Sequence, residues 1–117
     1  MDIGVDIVEI DRIRRMARKA RFLQRVFAPG EVAYCRSHKH SAQHFAVRFA
    51  AKEAVWKAIG DRRLLHRDIQ IRNQSSGKPH VVFPPRFARL ARRVSISLSH
   101  GRDYAVAMAV YRKRGSK

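Results

Sequence analysis

Residues 48–60, Arg-Phe-Ala-Ala-Lys-Glu-Ala-Val-Trp-Lys-Ala-Ile-Gly, predict a helix more firmly than any other part of this chain. The run is rich in Ala, contains no cluster of β-branched residues and ends at Gly60, where a helix can stop. Apolar side chains at helical spacing on and just before this run would form one stripe: Phe45, Phe49, Trp56 and Ile59.

Glu53 and Lys57 lie four residues apart on a neighbouring face of that helix, and they admit two interpretations. A surface ion pair at this spacing stabilises a helix by about 0.3–0.5 kcal/mol and has no further role. The alternative is a functional pair, because the small residues Ala46, Ala50 and Gly60 leave room for a ligand to approach. The rest of the chain decides between the two.

Charge is the unusual feature of the composition. The 117 residues, which we expect to form a single domain over 1–117, contain 26 Lys and Arg against 9 Asp and Glu, a net charge of +17. Such an excess predicts an anionic partner, which could be nucleic acid, an acidic protein, a phosphate-rich small molecule or a membrane surface.

Features that would direct the chain to a membrane or an oxidising compartment are missing from the sequence. Cys35 is the single cysteine, so the chain cannot form an internal disulfide, and we interpret it as a packing residue. The acidic N-terminus does not resemble a signal peptide, and no apolar run approaches the roughly 20 residues of a membrane span. We expect a soluble, cytoplasmic protein without a membrane partner.

Asp6 is the second acidic residue of interest. Residues 2–10 alternate as a strand, and Asp6 lies in the middle of that apolar run, with Gly4 on the same face. A carboxylate in such a place needs a partner, because an unpaired buried charge is costly. The partner is either an Arg side chain or a divalent metal such as Mg²⁺, which prefers carboxylate, phosphate and water oxygens.

A helix capped by Asp11 and running to about Phe27 is the next predicted element. Its exposed side carries one sign of charge, whereas solvated helix faces usually mix signs. The basic residues are Arg12, Arg14, Arg15, Arg18, Lys19, Arg21 and Arg25. This pattern favours docking of an acidic protein. A nucleic-acid site would interleave aromatic side chains, and Phe22 is the single aromatic within this basic cluster.

The remaining patterns predict an α+β fold, with a mostly antiparallel sheet packed with helices. We expect helices near 31–36, from about Ser41 to Gly60, and from Pro85. The predicted strands cover 68–72, 80–83, 94–99 and 104–111, and the tail 112–117 is expected to be disordered. His100 falls at a strand end, where it is either a functional side chain or a simple turn residue.

Five segments carry a resemblance to a known family. They are 3–13, 48–60, 68–71, 73–79 and 94–100, and they contain the paired motifs G-x-D-I-x-E-x-x-R and R-F-A-A-K-E-A-x-x-K-A. In order and spacing they resemble the holo-[acyl-carrier-protein] synthases, the small 4′-phosphopantetheinyl transferases. The resemblance extends from residue 3 to about 111.

This resemblance implies a Mg²⁺-dependent transfer of 4′-phosphopantetheine from coenzyme A to a serine of an acyl carrier protein, with release of adenosine 3′,5′-bisphosphate. By position, Asp6 and Glu53 would hold the metal, and Lys57 would contact the phosphates. The base that takes the serine proton stays open between a metal-bound water and one of these carboxylates.

The resemblance also implies how substrates and subunits are arranged. Four positions match residues that contact coenzyme A: Arg48, Lys78, Pro79 and His100. The acidic carrier protein would dock on the first helix, at Arg12, Met16, Arg21, Phe22 and Arg25. Family members form trimers with active sites between the subunits, so a homotrimer is expected here.

One departure from the family and two other functions stay in view. The family commonly has a Gly-containing loop after the position of Gly60, whereas this chain continues with Asp61-Arg62-Arg63, so phosphate contacts there are open. The alternatives to the transferase are a basic nucleic-acid-binding module without catalysis and a scaffold that binds carrier protein. A nucleic-acid-binding module would not explain Asp6 and Glu53. A non-catalytic scaffold would not explain why all of the acidic and lysine positions expected for the family are present.

Overall fold

A computed structural model describes residues 1–113 of the chain. Strand β1 (Asp2–Glu9) is followed by four α-helices: α1 (Ile10–Met16), α2 (Ala20–Val26), α3 (Pro29–Arg36) and α4 (Ser41–Ile59). The second half contains β2 (Gln70–Asn73), β3 (Pro79–Val82), β4 (Val94–His100) and β5 (Tyr104–Tyr111), with 3₁₀ segments at His66–Asp68 and Pro85–Arg93.

The strands form two antiparallel sheets, which confirms the predicted α+β class. The larger sheet has the order β1-β5-β4, and Asp6 pairs with Ala107 in its register. The smaller sheet is the hairpin of β2 and β3, in which Ile71 pairs with Val81. Helix α4 packs against β1, β4 and β5.

Helix α4 is the centre of the fold, and its predicted extent is confirmed. It begins at Ser41, and it ends before Gly60, whose φ of 70° is the left-handed conformation that favours glycine at this position. Small side chains on the inner face of the larger sheet let the helix approach closely. These are Gly4 on β1 and the fully buried Ala105, Ala107 and Ala109 on β5.

The predicted first helix from Asp11 to Phe27 is wrong in one respect, because the chain breaks at 17–19 into α1 and α2. Glu9 occupies the N-cap position, and Asp11 lies inside the first turn, where it accepts bonds from Arg14 and Arg15. The basic side chains therefore lie on two short helices and on the turn between them, and not on one helix face.

The outer face of the larger sheet is apolar and open to solvent. Exposed side chains on β1 and β5 of this face are Ile3 (62% exposed), Val5 (56%), Ile7 (63%) and Met108 (46%). The Ser side chains at 95, 97 and 99 of β4 lie beside β5 in the same register. None of the helices within residues 1–113 is both long and apolar enough to span a membrane.

The backbone makes one further hydrogen bond just after β5. The backbone N–H of Arg112 donates to the carbonyl of Arg93 at 2.9 Å. Residues 114–117 lie outside the described part of the chain, so the expected disorder of the tail stays a prediction there.

Candidate active site

Asp6 and Lys57 meet where β1 packs on α4. The Lys57 ammonium lies 3.2 Å from Asp6 Oδ1 and donates to the carbonyl of Val5 at 3.1 Å. The other carboxylate oxygen, Asp6 Oδ2, is buried and has no hydrogen-bond partner within residues 1–113. Because leaving a buried carboxylate oxygen without a partner costs free energy, this oxygen is a candidate to bind a ligand.

Glu53 lies one helical turn before Lys57, yet the two do not pair with each other. Its carboxylate oxygen Oε1 instead lies 3.3 Å from His66 Nε2, and both side chains are 27% exposed. The surface ion pair between Glu53 and Lys57 is therefore wrong. Tertiary contacts with β1 and with the 3₁₀ turn at His66–Asp68 take both side chains away from each other.

A buried ion pair between Lys52 and Glu31 joins this part of α4 to α3. The Lys52 ammonium donates to Glu31 Oε1 at 2.6 Å, to the carbonyl of Ile69 at 2.6 Å and to the carbonyl of His66 at 3.1 Å. Glu31 also accepts the backbone N–H of Ile71 at 2.9 Å. Burial lowers the pKa of Lys52, and the Glu31 carboxylate opposes that shift.

Sequence reasoning missed Lys52, Glu31 and His66. For Lys52 a signal was present, because position 52 falls midway along the apolar stripe between Phe49 and Trp56. A lysine in the middle of such a stripe predicts a buried acidic partner. For His66 no periodic signal exists, since its contact with Glu53 joins a helix to a 3₁₀ turn.

The loop after Gly60 is held by hydrogen bonds between its own residues. The backbone and guanidinium of Arg63 donate to Asp61, and these hydrogen bonds lower the pKa of the Asp61 carboxyl to about 2. Further along the loop, the indole N–H of Trp56 donates to the carbonyl of Leu64 at 3.1 Å.

A basic cleft of about 580 Å³ lies between α2 and this loop. Three of its lining side chains are cationic, namely Arg25, Arg62 and Arg67, and the rings of Trp56 and His66 form another part of its wall. The cleft therefore borders the Glu53–His66 contact and presents positive charge to an anionic ligand.

Arg48 is buried, at 5% exposure, on the α3 side of the helix. Its guanidinium lies 4.2 Å from the centroid of the Tyr34 ring, a cation–π contact. Its Nε has no hydrogen-bond partner among the described residues, and the side chain lines a cleft of about 300 Å³ that also includes Arg72 and Asn73. The cleft is thus suited to a ligand that accepts hydrogen bonds.

The other predicted coenzyme A contacts lie elsewhere on the chain. Lys78 is exposed at the β2–β3 turn and Pro79 begins β3, while His100 is exposed at the end of β4. The nearest defined contact of His100 is Gln43, whose Nε2 lies 2.6 Å from His100 Nε2. None of these three residues lines the cleft next to Glu53.

The predicted docking residues lie on α1 and α2. Arg12, Arg21 and Arg25 are exposed, whereas Met16 and Phe22 are half-buried. The Phe22 ring packs against Phe27 and Phe49, with centroids 6.0 and 5.8 Å apart. Its ring is thus engaged in the core and not free to stack on a nucleic-acid base.

Cys35 is buried, as its interpretation as a packing residue requires. Burial raises the pKa of its thiol to about 12, with Arg48 acting in the opposite direction. Because the thiolate is the reactive species, this residue does not serve as a nucleophile near neutral pH.

Fold and site together define a class of protein: a small α+β domain in which a carboxylate on the first strand meets a lysine on the central helix, with basic clefts around that helix. The model of the 4′-phosphopantetheinyl transferase superfamily matches residues 2–109. The chain belongs to this superfamily, and the resemblance seen in the sequence is confirmed.

Curated and structural relatives agree with this membership. A holo-[acyl-carrier-protein] synthase of Moorella thermoacetica is 43% identical over 118 aligned residues, covering 94% of this chain and 92% of the relative. The crystal structure of the Neisseria meningitidis synthase has a TM-score of 0.85 at 32% identity, covering 96% of this chain and 98% of that one. The Bacillus anthracis synthase, solved with CoA (3′,5′-ADP), has a TM-score of 0.80 at 33% identity, covering 94% of each chain.

Proposed function

We propose that this chain is a holo-[acyl-carrier-protein] synthase, which transfers 4′-phosphopantetheine from coenzyme A to a serine hydroxyl of an apo acyl carrier protein. Adenosine 3′,5′-bisphosphate is the other product. The observation that carries the proposal is the Asp6–Lys57 contact, with its unpartnered Asp6 Oδ2, in a chain that matches the transferase superfamily over 2–109.

Asp6 and Glu53 are proposed to hold Mg²⁺. The residues fit this ion, because it prefers one or two carboxylates together with phosphate and water oxygens, and Asp6 Oδ2 is an oxygen without a partner. Within residues 1–113 no three His, Cys, Asp or Glu side chains cluster as a complete metal cage, which leaves positions for phosphate and water. When bound, the ion neutralises phosphate charge and polarises phosphate oxygens.

Lys57 is proposed to bind the diphosphate of coenzyme A. Its side chain is 49% exposed, so the ammonium can keep contact with the edge of β1 and still reach a ligand. There it would stabilise the charge that develops on the leaving phosphate. Arg48, Lys78, Pro79 and His100 are proposed as further coenzyme A contacts.

An acidic carrier protein is the proposed macromolecular partner. Arg12, Arg21 and Arg25 project from α1 and α2, with the exposed parts of Met16 and Phe22 as apolar contacts. Arg25 also lines the basic cleft beside His66, so a carrier docked here would lie next to the site. Opposite charge on the two proteins accelerates their encounter.

A homotrimer with active sites between subunits is part of the proposal. The exposed apolar face formed by Ile3, Val5, Ile7 and Met108 is the surface that such an assembly would cover. Assembly would also bring one subunit's His100 or Lys78 to a neighbour's site, since neither residue lines the cleft beside Glu53 in a single chain. We further propose that residues 1–117 form a single domain and that the enzyme works in the cytoplasm, where it shares a compartment with coenzyme A.

The decisive experiment is incubation of the purified protein with coenzyme A, Mg²⁺ and an apo carrier protein, followed by intact-mass measurement. We expect the carrier to gain one phosphopantetheine, and we expect no gain when Mg²⁺ is chelated or when Asp6→Ala or Glu53→Ala replaces the native protein. Asp2→Ala is the matched control, because Asp2 lies on the same strand and the same face as Asp6.

Two outcomes would contradict the proposal. Undiminished transfer by folded Asp6→Ala or Glu53→Ala would remove the metal-ligand assignment. Absence of any mass gain with several apo carriers would favour a non-catalytic binding protein.

A further inference from the structure

The 3₁₀ turn that contains His66 is held by two residues of α4, which donate three hydrogen bonds to the backbone in and beside it. Lys52 donates to the carbonyl of His66 at 3.1 Å and to that of Ile69 at 2.6 Å. Trp56 donates to the carbonyl of Leu64 at 3.1 Å. A turn fixed at its backbone on both sides presents its side chain in a defined place.

The imidazole ring of His66 is also held in position by its contacts. It stacks on the indole ring of Trp56, with centroids 5.9 Å apart and an interplanar angle of 23°. Its Nε2 is buried and lies 3.3 Å from Glu53 Oε1, although the approach does not have hydrogen-bond geometry. Among the described residues, no acceptor is hydrogen-bonded to this nitrogen.

Glu53 depends on this contact for its orientation. Within residues 1–113, His66 is the only basic side chain in contact with the Glu53 carboxylate. The carboxylate is 27% exposed, so without the imidazole it would be free to change rotamer. A carboxylate that must present an oxygen to a cation loses affinity when its orientation is not held.

We infer that His66 is a positioning residue, whose Nε2–H orients the Glu53 carboxylate toward the Mg²⁺ that the proposed function places there. The inference rests on that proposed function, and it assigns His66 no contact with substrate. It requires only that Nε2 carries a hydrogen and that the side chain shifts slightly to complete the hydrogen bond. Loss of such a partner typically weakens metal affinity by about 10- to 100-fold.

The test compares side chains that differ in one property. His66→Phe keeps a ring that can stack on Trp56 but removes the donor. His66→Gln places an amide N–H at about the reach of Nε2, and His66→Asn places it too far from Glu53. His40→Phe, at an exposed position before α4, is the matched control for the change from His to Phe.

The readout is the Mg²⁺ dependence of coenzyme A binding without carrier protein, so that no transfer takes place. Calorimetry measures the affinity, and the fluorescence of Trp56, the single Trp of the chain, reports on the site. We expect His66→Phe and His66→Asn to raise the half-saturating Mg²⁺ concentration by about 10- to 100-fold. His66→Gln should return to within a few-fold of the native value, and His40→Phe should equal it.

In the transfer assay, His66→Phe and His66→Asn should raise the Mg²⁺ requirement while kcat at saturating Mg²⁺ changes little. Native Mg²⁺ dependence in His66→Phe, or equal loss in His66→Gln and His66→Asn, would overturn the inference. If His66→Phe does not fold, as thermal unfolding would show, the Gln and Asn pair decides alone.

A Glu53→Gln background separates this inference from the function on which it rests. If Glu53 is not a metal ligand, Glu53→Gln itself will keep the native Mg²⁺ dependence, and both proposals fall. If Glu53→Gln raises the Mg²⁺ requirement but His66→Phe does not, only the role of His66 falls. If both assignments hold, adding His66→Phe to Glu53→Gln should cause no further loss.

Discussion

Gly4 lies against the backbone of Ala54 so closely that a Cβ at residue 4 would be 1.9 Å from the Ala54 carbonyl oxygen. The same Cβ would lie 2.9 Å from the backbone nitrogen of Ala58. Because both obstacles are backbone atoms of α4, no side chain can move aside to make room. The close approach of β1 and α4, which brings Asp6 to Lys57, therefore requires glycine at this position.

Gly4→Ala is accordingly expected to destabilise the protein strongly and to separate β1 from α4. Overpacking of this kind costs about 1–3 kcal/mol, and a clash with helix backbone lies at the upper end or beyond. Urea unfolding measures the loss, and the intact-mass assay should show reduced transfer, because Asp6 moves with the strand. Gly101→Ala is the control, since a Cβ there meets no atom within 4 Å. Equal stability of Gly4→Ala and the native protein would contradict this account.

Lys52→Met is expected to lower the free energy of unfolding by about 3–5 kcal/mol, because it leaves the Glu31 carboxylate buried without its partner. Chemical denaturation measures this change, with the exposed Lys39→Met as the matched control. In the double variant Lys52→Met/Glu31→Gln the loss should be smaller than the sum of the two single losses. A loss below about 1 kcal/mol for Lys52→Met would show that the buried pair contributes little.

Val5→Glu tests the proposed trimer. Val5 is 56% exposed midway along the edge strand β1 on the outer sheet face, so three buried carboxylates would oppose assembly around that face. We expect light scattering after size-exclusion chromatography to show monomer for this variant and trimer for the native chain. Ala33→Glu adds the same charge at an exposed position on α3 and should leave the trimer intact. A stable trimer of Val5→Glu would assign the apolar face to another partner.

Stability should decrease in mild acid because of His44. Burial lowers the pKa of His44, and the side chains of His38, Arg48, His100 and His40 lower it further. The unfolded chain therefore binds a proton at His44 more readily than the folded protein does. The contribution of His44 to stability is fully present above the ordinary histidine pKa of about 6.5, and it is lost as the pH falls toward the lower pKa of the folded protein.

One such group changes the free energy of unfolding by at most about 1.4 kcal/mol per pH unit. Denaturation between about pH 7 and pH 5 should thus give a shallower pH dependence for His44→Gln than for the native protein. His80→Gln, on β3, is the control for loss of a histidine. An unchanged slope in His44→Gln would assign the acid sensitivity to other groups.

Some features of the structure follow from the sequence and others do not, and particular residues show the physical reasons. The helix up to Gly60 follows from local propensity and a left-handed stop, and the strand around Asp6 follows from alternation. The break at 17–19 does not, because the basic residues there would be acceptable in a helix. Likewise, i,i+4 spacing pairs Glu53 with Lys57, whereas tertiary packing gives one to His66 and the other to Asp6.

Lys52 and Glu53 are neighbours in sequence, and one anchors the buried core while the other faces the site. Local opening that released Glu53 would therefore have to break the Lys52–Glu31 pair, which joins α4 to α3 and β2. The backbone amides of this turn of α4 should exchange with solvent deuterium only through global unfolding, and thus be among the slowest of the chain. Residues 52–56 should accordingly keep their geometry for as long as the protein stays folded.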